Sequence, residues 1–165
     1  MNQRSEQGSV LIVSIIILLV MTVIGLAGME LTGLEEKMAG NMRDRNIAFQ
    51  AAEATLNDAE DYLADVVLLP DFDGSVAGLY ESDADLWETV NWTSSSAVKA
   101  YSGEGFTALA ETPAYVIEKL EFVSKTDDSL GMGGAVDTDS YYRVSARAVG
   151  QTDTAEVILQ TVYKR

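Results

Sequence analysis

The chain of 165 residues has no cysteine and no histidine. Disulfides, thiolate nucleophiles, imidazole bases and His/Cys zinc sites are excluded, and with them most hydrolase and metalloenzyme chemistries. Redox compartment cannot be read from cysteine usage. Positive charge is scarce: 11 Lys and Arg stand against 26 Asp and Glu, a formal net charge of -15. Nucleic-acid binding relies on Lys and Arg neutralising phosphates, so no nucleic-acid partner is expected. Proline is absent before Pro70, which leaves the front of the chain free of the strongest helix breaker. The length suits one small domain.

Residues 8–29 carry no charge at all, and thirteen of the residues from 10 to 29 are Leu, Ile or Val. As a helix, a stretch of this length reaches about 33 Å, enough to cross a hydrocarbon core of about 30 Å. Each Leu, Ile or Val contributes about -0.3 to -0.6 kcal/mol at a helix centre, so roughly -4 to -8 kcal/mol favours insertion. A secretory signal fits poorly, because its apolar region spans only about 7 to 15 residues before a small-residue cleavage site. Here helical spacing continues through Glu30, Leu31, Leu34 and Met38. The span is read as retained.

Beyond it, Leu31, Leu34, Met38, Met42, Phe49, Ala52, Leu56, Ala59, Leu63 and Val66 step by three and four, with Arg45 as the interruption. That spacing marks one helix face. It predicts a single helix from Ser9 to Val66, about 87 Å long, with Phe49, Leu56 and Leu63 in the core. A domain of this size has a radius of gyration of only about 13 to 15 Å. The expected form is a lollipop, with residues 9–29 as a transmembrane and assembly element, 30–66 as an amphipathic continuation and 67–165 as a globular head. Residues 1–8 precede the apolar run.

Gly8 and Ser9 form the junction to that run, and Gly lets a protease hold the chain extended. Further on come Leu34-Glu35-Glu36-Lys37-Met38-Ala39-Gly40-Asn41-Met42-Arg43-Asp44-Arg45-Asn46 and the stretch to Ala54. From Gly8 to Ala54 the chain resembles the N-terminal region of PilX-type minor pilins of type IV pili. The motif residues are Glu35, Glu36, Lys37, Met38, Gly40, Asn41, Arg43, Asp44, Arg45 and Asn46. The segment Tyr141-Tyr142-Arg143-Val144-Ser145-Ala146-Arg147 also looks like that family's end.

The resemblance implies a leader at residues 1–8, removed by a prepilin peptidase after Gly8, with methylation of the new Ser9 amine. In related pilins the fifth residue after the cut is usually Glu; here it is Val13. A buried carboxylate is costly unless paired, so a subunit without one has no such neighbour to satisfy. PilX-like pilins and the similar K-type pseudopilins of type II secretion share the omission, which implies a priming or tip position. Implied partners are other minor pilins, the major pilin, the prepilin peptidase and the inner-membrane assembly platform, with no cofactor. The implied location is the inner membrane, single pass with a periplasmic head, and then the extracellular pilus. Charge counting opposes this orientation, since Lys37, Arg43 and Arg45 follow the span while only Arg4 and the Met1 amine precede it. The resemblance is given precedence because the leader must meet its peptidase in the cytoplasm.

The head is read as α+β. Residues 115–123, 142–148 and 155–163 have the alternation and β-branched content of strands, with a fourth strand expected within 67–98. Tyr142, Val144, Ala146 and Ala148 share one face, and Gly150-Gln151-Thr152-Asp153 turns the last two strands into a hairpin. Pilin folds imply that this small antiparallel sheet lies against the helix. The acidic stretches at Asp71 to Gly74 and Glu81 to Asp85 lack a full calcium-loop pattern and are read as solvated loops. Leu130-Gly131-Met132-Gly133-Gly134 lacks the phosphate-loop Lys and is read as a turn. Trp87 and Trp92 are read as core residues, with a recognition surface as the alternative. Beside the structural minor pilin stand two alternatives: an adhesive module using the loops around 71–101, and an uncleaved single-pass membrane protein. No nucleophile motif or spaced acid/base pair appears, so an enzyme is not expected.

Overall fold

The computed structural model describes residues 6–120 and 140–165. Helix α1 runs from Glu6 to Asp65 without a break, close to the predicted limits but starting before the Gly8-Ser9 junction. No proline interrupts it, and Pro70 follows its end. The chain divides into two units, Met1–Met42 and Arg43–Arg165. In the first, every described residue is helical.

The second unit holds the rest of α1, a second short helix and the sheet. Its elements are β1 (Leu79–Glu81), α2 (Leu86–Thr89), β2 (Lys99–Ala100), β3 (Ala114–Lys119), β4 (Tyr141–Val149) and β5 (Glu156–Lys164). Sheet order is β1-β3-β4-β5, with β2 also paired to β3. The predicted β4–β5 hairpin is present, in register from Tyr141↔Lys164 to Val149↔Glu156. The sheet is nevertheless mixed rather than antiparallel, because β1 runs parallel to β3 through Leu79↔Ile117. A parallel pair needs a long crossover, and residues 82–113 supply it, carrying α2 and β2 on the way. The last residues of the predicted strand 115–123 and the turn 130–134 lie outside the described residues.

The helix face toward the sheet is built from small side chains. Ala48, Ala51, Ala52, Thr55 and Ala59 are buried, followed by Leu63. Short side chains let the helix axis approach the strands closely, and Thr55 donates its buried hydroxyl to the Ala51 carbonyl at 2.7 Å. Ala59 and Leu63 pack with Tyr115, Ile117, Tyr142, Val144 and Ala146. Full burial of each large aliphatic side chain here stabilises the fold by about 1.5–3 kcal/mol. Leu56 is half-buried beside this core, as expected in part, but Phe49 is 41% exposed and is not a core residue. It lies one position past Ala48, just off the buried line.

The far face of the sheet is covered too. Ala114 and Val116 of β3 pack with Leu86 and Val98, and Trp92 rests against that cluster. The acid-rich region is therefore more than surface loop: Phe72 is buried and lies 5.3 Å from the Tyr142 ring, centroid to centroid. Gly78 takes φ +77, and a Cβ there would come within 2.9 Å of the Lys99 main-chain nitrogen. Only glycine fits both the left-handed backbone and that approach.

Candidate functional site

Two groups of residues stand out, one in each unit. In the first unit the apolar side chains are presented outward: Leu11, Ile15, Leu18, Met21 and Leu26 are all more than half exposed, and so is Val13, at 52%. One helix, Val10–Asp65, is long and apolar enough to cross a membrane, with a mean hydropathy of 3.1 in its best window. The polar residues within this stretch bond to their own helix. Ser14 donates to the Val10 carbonyl, Thr22 to Leu19 at 2.7 Å and Thr32 to Gly28 at 3.0 Å. Hydroxyls satisfied within the helix are compatible with a lipid or helix-bundle environment, where no water is available to bond them.

Gly8 and Ser9 lie within α1, so the backbone at the junction is helical rather than extended. The motif residues separate by contact. Glu35, Glu36, Lys37, Met38, Gly40, Asn41, Arg43, Arg45 and Asn46 are exposed on α1, while Asp44 alone is buried, at 9%. Its carboxylate accepts the Gln151 N–H at 2.6 Å, the Thr152 N–H at 3.2 Å and the Thr152 hydroxyl. These bonds, the Thr152 hydroxyl foremost, hold the Asp44 carboxyl below the ordinary carboxylate value, against the opposing effect of burial. The hairpin turn must come very close for this. A Cβ on Gly150 would collide with Asp44 Oδ1, so glycine is required there by space. Arg45 interrupts the apolar stripe, while four residues before Ala48 stands Asp44, whose charge conceals its place on the buried face.

Several other charged groups of the head serve its own structure. Glu118, fully buried, faces Arg143 across β3 and β4, and Arg147 bridges Glu111 and Glu156 at 2.6 and 2.7 Å. Asp73 accepts the Ser75 N–H at 2.9 Å, and Asp83 accepts the Asp85 N–H at 3.2 Å, so both acidic stretches use carboxylates to fix their own turns. Asp58 of α1 accepts from the Ser102 hydroxyl at 2.7 Å, and Lys99 stacks its ammonium 3.2 Å over the Tyr62 ring. Burial lowers the Lys99 pKa, with Asp58 opposing. Trp92 donates its ring N–H to the Trp87 carbonyl at 3.0 Å, and both indoles are half-buried.

A helix long and apolar enough to cross a membrane and an α+β unit are compatible with a membrane-anchored protein. The family described as PilX N-terminal matches residues 7–57, and that described as Type IV pilus assembly protein PilX C-term matches residues 44–165. Between them they span nearly the whole chain, which therefore belongs to the PilX family of type IV pilus minor pilins. No curated protein and no solved structure matches it. Family membership makes it a structural, membrane-anchored pilus component that works with other pilus proteins.

Proposed function

We propose that the chain primes pilus assembly or occupies the fibre tip after a prepilin peptidase cuts between Gly8 and Ser9 and the Ser9 amine is methylated. Residues 1–8 serve as leader, 9–29 as the membrane and assembly element, 30–66 as its amphipathic continuation and 67–165 as the head. Before assembly the head is periplasmic and the helix crosses the inner membrane. After it, the subunit is part of the extracellular pilus, in contact with other minor pilins and the major pilin.

The observation that carries the tip or priming role is Val13. Its side chain is exposed in an apolar stretch that holds no carboxylate from residue 10 to 29. Such a helix offers no acceptor to the amine of a neighbouring subunit. It also brings no unpaired charge into the membrane. The Gly8 junction is compatible with cleavage even though it is helical, because Gly costs about 1 kcal/mol more than Ala in a helix interior and eases local unwinding. Leaving lipid exposes the apolar half of α1 unless other helices cover it, so the assembly platform has to supply work or a matching surface.

Mass analysis of the protein from cells with active prepilin peptidase tests the processing step. The expected N-terminus is Ser9 carrying one added methyl group; an intact Met1 would identify an uncleaved single-pass protein. Deleting the subunit should reduce piliation, whereas normal fibres with lost attachment would mark the adhesive alternative.

A further inference from the structure

Among the described residues, β5 is bonded to β4 alone and forms one edge of the sheet. Ser140 and Arg165 exchange both main-chain hydrogen bonds, at 3.1 and 2.9 Å. They are thus a hydrogen-bonded pair of the antiparallel ladder, and the pattern alternates from there. In that register Tyr163, Thr161, Leu159 and Val157 direct their main-chain groups at β4. The N–H and C=O of Ile158, Gln160 and Val162 point away from the sheet.

Exposed edges are ordinarily short or guarded by proline, bulges or charge. This one has nine residues, and from 157 to 163 it contains no proline, glycine or charged side chain. Among the described residues, the helix beside it is left uncovered. Phe49 and Leu56 of α1, with Glu53 and Asn57, line a groove of about 360 Å³ whose other wall is Leu159 and Thr161. Val157 and Leu159 pack toward Ala51 and Ala52, so the groove lies on the helix side of the edge. A strand added to β5 would sit about 4.8 Å further out and set alternate side chains over the groove. The exposed ring of Phe49 then has a partner.

We propose that β5 is a docking edge for an extended strand of a different pilus polypeptide, with apolar side chains toward Phe49 and Leu56 and a basic residue near Glu53. Unpaired main-chain groups in β geometry select a strand over a helix or a loop, because only a strand presents donors and acceptors at the same repeat. Charge selects a different polypeptide over a second copy, since two chains at -15 each repel.

The test uses the full-length tagged chain, alone in mild detergent and as the complex purified with its companions from piliated cells. Single-residue amide exchange is expected to slow by about 100-fold at Ile158, Gln160 and Val162 in the complex, as newly bonded edge groups do. Two variants accompany it. Val162→Pro removes an outward N–H and leaves the β4 ladder intact, and Phe49→Lys charges the groove. Each should lower the recovered companion to about a tenth or less while the isolated variant melts like the parent. Unchanged exchange at the three amides, full companion recovery with Phe49→Lys, or cross-links joining β5 to a second copy would overturn the proposal. A subunit that is cleaved at Gly8 and enters pili with these amides still exposed overturns the docking edge alone and leaves the tip role standing.

Discussion

Replacing Arg143 with methionine isolates the most demanding interaction in the head. Glu118 is fully buried, and Arg143 meets it with a two-pronged contact, Nη2 to Oε1 at 2.6 Å and Nε to Oε2 at 2.8 Å. The pairing raises the Arg143 pKa further above its ordinary value. Oε1 also accepts the Asp83 N–H at 3.0 Å, and Arg143 donates to the Asp83 carbonyl, so the pair ties the start of the crossover to the sheet. Arg143→Met keeps most of the stem's packing and leaves the Glu118 carboxylate buried without a counter-charge. Breaking a buried pair in this way costs about 3–5 kcal/mol. For a unit of this size that lowers the melting midpoint by roughly 10–20 °C. Arg143 keeps one edge toward water, its side chain 23% exposed, so the lower half of that range is expected. Glu118→Leu with Arg143→Met removes both charges and should return to within about 2 kcal/mol of the parent, since burying the original pair carried its own desolvation cost. Near-UV circular dichroism of the full-length proteins in detergent follows the melt through the tyrosines and tryptophans. A single variant melting within about 2 °C of the parent, or a double variant no more stable than the single, would refute the reasoning.

Further predictions concern the two halves of α1. The Asp44 carboxyl titrates below its ordinary value of 3.8. Its contribution to stability is complete above that value and is lost as pH falls through the lowered one, because the unfolded chain then binds the proton first. Asp44→Asn should flatten this acid limb in a series of thermal melts. An unchanged limb would assign it to other carboxylates, of which Asp73, held low by Ser75, is the next to test. Val13→Glu introduces the carboxylate that the span lacks and is expected either to disturb initiation or to let the subunit enter the shaft. Immunogold counts along and at the ends of fibres distinguish these outcomes; unaltered piliation and placement would remove Val13 from the case for a tip role.

The long helix, the apolar span and the last two strands were legible because each rests on a local pattern. Residues 8–29 carry no charge whatever their surroundings, and Tyr142, Val144, Ala146 and Ala148 alternate whichever strand they meet. Phe49 sits off the predicted core, and Asp44 lies on the buried face unpredicted, for one shared reason. Polarity was used to locate the buried stripe, while the fold chose it by size, taking the alanines and Thr55 and admitting a carboxylate where Gly150 let a turn reach it. Nothing near Asp44 in the sequence announces Gln151 and Thr152, its partners more than a hundred residues away.

Sequence alone determined the family, the membrane-length helix and the lack of His or Cys chemistry, since composition and helical periodicity act over a few turns of chain. Tertiary structure decided that β1 joins β3 in parallel, that Glu118 is buried against Arg143, and that, among the described residues, β5 and Phe49 border an open edge. Those features depend on which distant segments meet, and hydrogen-bond pairing and close packing are settled only when they do.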